Sequence, residues 1–98
     1  MENKEMQAKI DGWKKQYGDV YLYEVDDKKC YLKPADRKTI AAAAIVGAGD
    51  MIKYNEIVLK NCWIDGDVEI QNNDGYFLGI SQKLAELIDV KTGELKKL

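Results

Sequence analysis

The sequence has 98 residues, of which 46% are hydrophobic and 33% charged, with a net charge of −2 and no histidine. A chain of that length and composition makes one folded domain around one core and excludes a disordered protein. The charges are mixed and Arg37 is the only arginine, which argues against a nucleic-acid groove, and no apolar run reaches the roughly 20 residues of a membrane span.

Residues 3–17 are predicted as a first helix. Met6, Ile10, Trp13 and Tyr17 recur at helical spacing on one face, and lysines and acids fill the other. Gly18 stands where a helix C-terminal glycine belongs. The opening stretch MENKEMQAKIDGW is charged and polar, so no secretory signal and a reducing cytoplasm are expected. Segments 20–25 and 29–33 are rich in Tyr, Val and Leu and are predicted as a β-hairpin around the turn Asp26-Asp27-Lys28. Alternation puts Tyr21, Tyr23 and Val25 on one face, with Val20, Leu22 and Glu24 on the other. Two strands alone are marginal in water, so a helix must cover one face or a third strand must join.

Pro34 ends the second strand. Asp36 is a good N-cap for a helix over 37–47, whose four alanines predict a tightly packed central position. Gly47 and Gly49 stop it, and Asp50 caps a further helix over 51–61 that is apolar nearly all round and therefore expected to be buried. Residues 64–75 read as an acidic loop in which Val68 and Ile70 could form a short extended piece. Asp74 is expected to cap a last helix over 76–90 with the stripe Phe77, Ile80, Leu84, Leu87 and Ile88. The fold class is α+β: a small single domain over 1–98 with an N-terminal helix, a β-hairpin and three helices packed on it, residues 1–4 and 92–98 being expected to fray.

Catalytic chemistry has few places to sit. The missing histidine removes His-based acid–base work, Ser-His and Cys-His pairs, and most zinc sites. Ser81 is the only serine and lies in a helical pattern without a nucleophile elbow. Cys30 and Cys62 are too far apart for a CxxC pair and have apolar or aromatic neighbours, so they read as structural thiols. A disulfide between them requires their Cα atoms within about 7 Å. The acids Asp65, Asp67 and Glu69 alternate as calcium ligands do, but Ile70 stands where the EF-hand needs glycine and Tyr76 where it needs glutamate. A solvated acidic loop is the better reading, and neither an enzyme nor a cofactor is expected. Trp13 and Trp63 read first as core residues. Tyr21, Tyr23 and Tyr31, sharing a hairpin face or lying half-buried beneath a helix, are with Trp63 the residues chosen as a protein contact surface.

Three segments resemble, in order and spacing, small proteins of phage and prophage genomes of the tail assembly chaperone-like type. They are WKKQYGDVYLYEV with KKCYLKPADRKT, then KYNEIVLKNCWIDGDVEI, then FLGISQKLAELIDVKTGELKKL, together covering most of 13–98. The resemblance implies a non-enzymatic protein of the bacterial host cytoplasm. Its expected partner is the tape-measure protein, whose apolar helices it would shield, or the tail-tube protein it would help recruit. It brings no catalytic residue. Two other readings compete: a general interaction or regulatory module acting as a homo-oligomer through its hairpin edge or last helix, and a metal-binding protein using 65–69.

Overall fold

A computed structural model describes residues 2–88 and 90–98. Met1, in the stretch expected to fray, and Asp89, in the expected last helix, lie outside the described residues. Helix α1 spans Glu2–Tyr17 and is followed by the hairpin strands β1, Tyr21–Val25, and β2, Lys28–Leu32. Helices α2, Arg37–Val46, and α3, Met51–Cys62, come next, and α3 runs directly into strand β3, Trp63–Gly66. The short helix α4, Glu69–Asn72, the helix α5, Asp74–Ser81, and a 3-10 turn, Leu84–Leu87, complete the fold. The α+β class and the small single domain are as expected.

The sheet is antiparallel in the order β1-β2-β3. Tyr21 pairs with Leu32, Leu22 with Tyr31, and Tyr23 with Cys30. Asp26 opens the two-residue turn with φ 54°, the left-handed conformation that Asp tolerates and that hairpin turns demand. The third strand settles the hairpin's need for support. It was expected as the end of a helix and an acidic loop, and the structure corrects that. Tyr31 pairs with Asp65 and Leu32 with Trp63, so Ile64 is an extra residue bulged from the ladder.

The inner sheet face and the helices share one core. Cys30 and Leu32 from β2 meet Val58, Leu59 and Cys62 of α3, Ile70 of α4, Phe77 and Ile80 of α5, and Leu84 and Leu87 of the 3-10 turn. Tyr21, Tyr23, Val25 and Trp63 pack on its margin. The outer sheet face carries α1, whose Trp13 ring lies 5.2 Å from that of Tyr31 at 47°. Lys33 Nζ sits 5.1 Å over the Tyr17 ring and fastens the end of the same helix. The expected α1 stripe is real: Met6, Ile10, Trp13 and Tyr17 are half-buried and their neighbours exposed.

Local signals held where caps decide the outcome. Asp36 accepts from the Thr39 N–H at 2.8 Å and opens α2, and Asp50 accepts from the N–H groups of Ile52 and Lys53 and opens α3. That hydrogen bond holds the Asp36 carboxyl below its ordinary range.

Three placements differ from expectation. Helix α2 is not central: only Ala43 is buried among its residues, because α2 packs chiefly on α3. Helix α3 is buried only in its C-terminal half, which β3 ties to the sheet, while Met51 and Ile52 are exposed. The expected helix over 76–90 stops at Ser81 and resumes as the 3-10 turn. Its first cap is Asn73, which accepts from Tyr76 N–H, and Asp74 lies inside the first turn. The break lets Leu84 and Leu87 both enter the core while Leu87 O accepts a hydrogen bond from Ala35 N–H at 3.0 Å. Among the described residues no helix is long and apolar enough to cross a membrane.

Candidate functional site

The four aromatic residues chosen from the sequence do not form one surface. Tyr21 and Tyr23 lie on the inner sheet face, half-buried against the core. Burial, and then the neighbouring Cys30, push the Tyr23 hydroxyl above its ordinary pKa. Tyr31 takes the opposite face. Its cross-strand partner is Leu22, and paired residues point the same way, so it sits under Trp13 and is only 5% exposed. Trp63 is half-buried beside Leu32 on the core side. Alternation counted within β1 pairs Tyr21 with Tyr23 correctly, but the face of Tyr31 depends on turn length, which sets register.

Both cysteines are free and fully buried. Burial pushes the Cys30 thiol up to about 12 and raises Cys62 as well. At pH 8 the Cys30 thiolate fraction is then about a thousandfold below that of a thiol at the ordinary value of 9.0. Native protein should resist a thiol reagent at pH 8 for hours, and two thiols should react at once in denaturant. Rapid labelling of the native protein would contradict this burial. Because the folded pKa is raised, the neutral thiol supports the fold fully below pH 9.0 and loses that support as the pH climbs towards about 12.

The acidic segment is occupied by structural bonds. Asp65 Oδ1 accepts from Gly66 N–H and Asp67 Oδ2 from Lys29 N–H, both at 2.9 Å. Glu69 pairs with Lys28 Nζ at 3.4 Å. The same ammonium lies 5.8 Å over the Tyr76 ring, whose hydroxyl donates to Asp26 Oδ2 at 2.8 Å. Burial disfavours the Lys28 charge, but the carboxylates of Glu69 and Asp27 outweigh it and raise its pKa. These contacts latch the hairpin turn onto α4 and α5, a role no spacing pattern in the sequence announced. Among the described residues no three His, Cys, Asp or Glu side chains converge as metal ligands. Ser81 Oγ donates back to Phe77 O at 2.8 Å, as a helix serine does.

What the structure leaves open is apolar. Around the turn between α2 and α3, Ile45 is 78% exposed, Val46 63%, Met51 67% and Ile52 47%. Sequence reading missed this patch because it assigned both helices to the interior. Beside it runs a groove of about 220 Å³, lined by Ile40, Met51, Tyr54, Val58, Leu84 and Ile88. A second groove of about 320 Å³ separates β1 from the 3-10 turn, floored by Ile80, Leu84 and Leu87 and flanked by Lys83 and Glu86. Compared with family models, curated proteins and solved structures, the chain matches none.

Proposed function

We propose that this protein is a non-enzymatic binding module that holds an amphipathic helix of another protein. The carrying observation is the exposure of Ile45, Val46, Met51 and Ile52 at the junction of α2 and α3, where Met51 also lines the apolar groove along α3. Solvent-facing clusters of this kind mark interaction sites, and an amphipathic helix seats its apolar face in such grooves through i, i+3, i+4 anchors. The sequence's lack of histidine and the inert thiols fit a role without bond making. The resemblance to tail assembly chaperone-like proteins supports the more specific form, in which the helix belongs to a tape-measure protein.

Calorimetric titration with an amphipathic helical segment of a tape-measure protein tests this, with a scrambled peptide of the same composition as control. Ile45→Asp with Met51→Asp should weaken binding at least tenfold. The melting temperature should hardly change, because exposed positions tolerate substitution. Equal binding of the double variant, or no preference over the scrambled peptide, would refute the proposal.

A further inference from the structure

Helix α1 lies outside the core. Among the described residues it supplies no side chain to the core cluster. Its best-covered side chains, Met6, Ile10, Trp13 and Tyr17, are half-buried, and none is buried. Among the described residues, 4–17 make no hydrogen bond or ion pair with another element. Two ring contacts hold the helix: Trp13 on Tyr31, and Tyr17 beneath Lys33 Nζ. Both lie towards its C-terminal end. Gly18 then joins it to the strand that follows, with φ 90° and nothing within 4 Å of where a Cβ would stand. The chain is free to turn at that glycine without collision. Beneath the helix, Tyr31 faces the outer side of the sheet and is nonetheless 5% exposed, because the Trp13 ring covers it.

We infer that α1 is a lid on the outer sheet face, hinged at Gly18 and clasped by Trp13 on Tyr31, and that it opens while the core stays folded. The core is made by β2, α3, α4, α5 and the 3-10 turn, and every one of those contacts survives when α1 lifts. The lid itself has 16 residues with Gly12 in its interior. A helix of that length is marginal in water on its own, and an interior glycine weakens it further. Lifting the Trp13 ring therefore melts α1, so undocking and unfolding of the lid are one event below the cost of global unfolding. Opening uncovers the Tyr31 ring next to Leu22, its cross-strand partner, which is already 51% exposed. The lid thus makes an aromatic surface on the sheet conditional on one ring contact. That surface is on the side of the sheet away from α3, so the lid stands or falls separately from the helix-binding groove.

Native-state amide hydrogen exchange of the full chain, read residue by residue, tests this. Amides of residues 6–17 should be roughly a hundredfold less protected than those of β2 and of Val58 and Leu59. Ile70→Ala loosens the core without touching the lid, so it should lower protection in β2 and α3 at least about tenfold and leave that of 6–17 unchanged. Trp13→Ala removes the clasp, and it should lower protection at least about tenfold, by one common factor, over the whole of 6–17. An equal fall in 6–17 and in the core of Ile70→Ala would overturn the inference, because α1 would then leave only when the whole fold unfolds. So would a Trp13→Ala effect confined to the neighbours of residue 13, with protection climbing steadily from residue 6, which is the fraying of a chain end. Should Ile70→Ala fail to fold, the native chain in low denaturant decides. Exchange of 6–17 should then rise less steeply with denaturant than exchange of β2, because opening the lid exposes less surface, and equal slopes would sink the proposal.

Discussion

Gly66→Ala should unfold the third strand and cost about 3 kcal/mol or more, lowering Tm by roughly 15 °C. Gly66 has φ 143°, a conformation that side chains rarely adopt. A Cβ there would also run into Cys30 Cα and come within 2.6 Å of Lys29 O. These are backbone atoms of the central strand and cannot rotate aside. Relief requires β3 to move off β2, which breaks the Asp67 N–H to Lys29 O bond and the return bond from Lys29 N–H to the Asp67 carboxylate. Gly18→Ala separates conformational strain from collision. Gly18 also has a positive φ, 90°, but nothing lies within 4 Å of its added Cβ, so only about 1–2 kcal/mol should be lost. Thermal melts of the two variants check the difference. Equal losses would mean that β3 does not press on Cys30 as closely as the structure has it.

Ile70→Ala should cost about 2–5 kcal/mol, and Val68→Ala less than about 0.5 kcal/mol. The two residues stand two apart in the same acidic stretch, yet Ile70 is 0% exposed and Val68 59%. Ile70 is held in the core by the α4 turn, whose first bond runs from its N–H to Asp67 O at 3.1 Å. Truncating it leaves a cavity between β2 and the helices, which the clamp of Asp67 on Lys29 prevents from collapsing fully. Denaturant unfolding of both variants measures the contrast. If 67–72 were a solvated loop, as its composition suggested, the two substitutions would cost the same.

The open surfaces have a common origin. Strand β3 grows directly from α3 and draws the C-terminal half of that helix over the sheet. The N-terminal half of α3 and all of α2 therefore stand outside the layer that the sheet covers, with Ile45, Val46, Met51 and Ile52 at their junction. An alanine-rich helix usually signals close packing, and here its main packing neighbour is α3. The same strand takes the second edge of β2, which leaves β1 as the regular free edge. The exposed junction and the free edge thus both follow from where one short strand attaches.

The sequence by itself determined what is decided within a few residues of the chain. Asp36 and Asp50 had to open helices because a carboxylate reaches the free N–H groups two or three positions ahead. The spacing of Met6, Ile10, Trp13 and Tyr17 had to give one apolar stripe, and Asp26-Asp27 had to turn the hairpin. The absence of histidine by itself narrows the chemistry open to the chain. Only the tertiary structure decided the partners across space. Trp63–Gly66 became a strand because the open edge of β2 supplied hydrogen bonds that its own residues do not advertise. The break after Ser81, the burial of Ile70 and the opposite faces of Tyr23 and Tyr31 likewise depend on segments far away in the chain. The physical reason is that caps and turns close bonds over short loops, whereas register and burial are fixed by surfaces that exist only after the chain has folded.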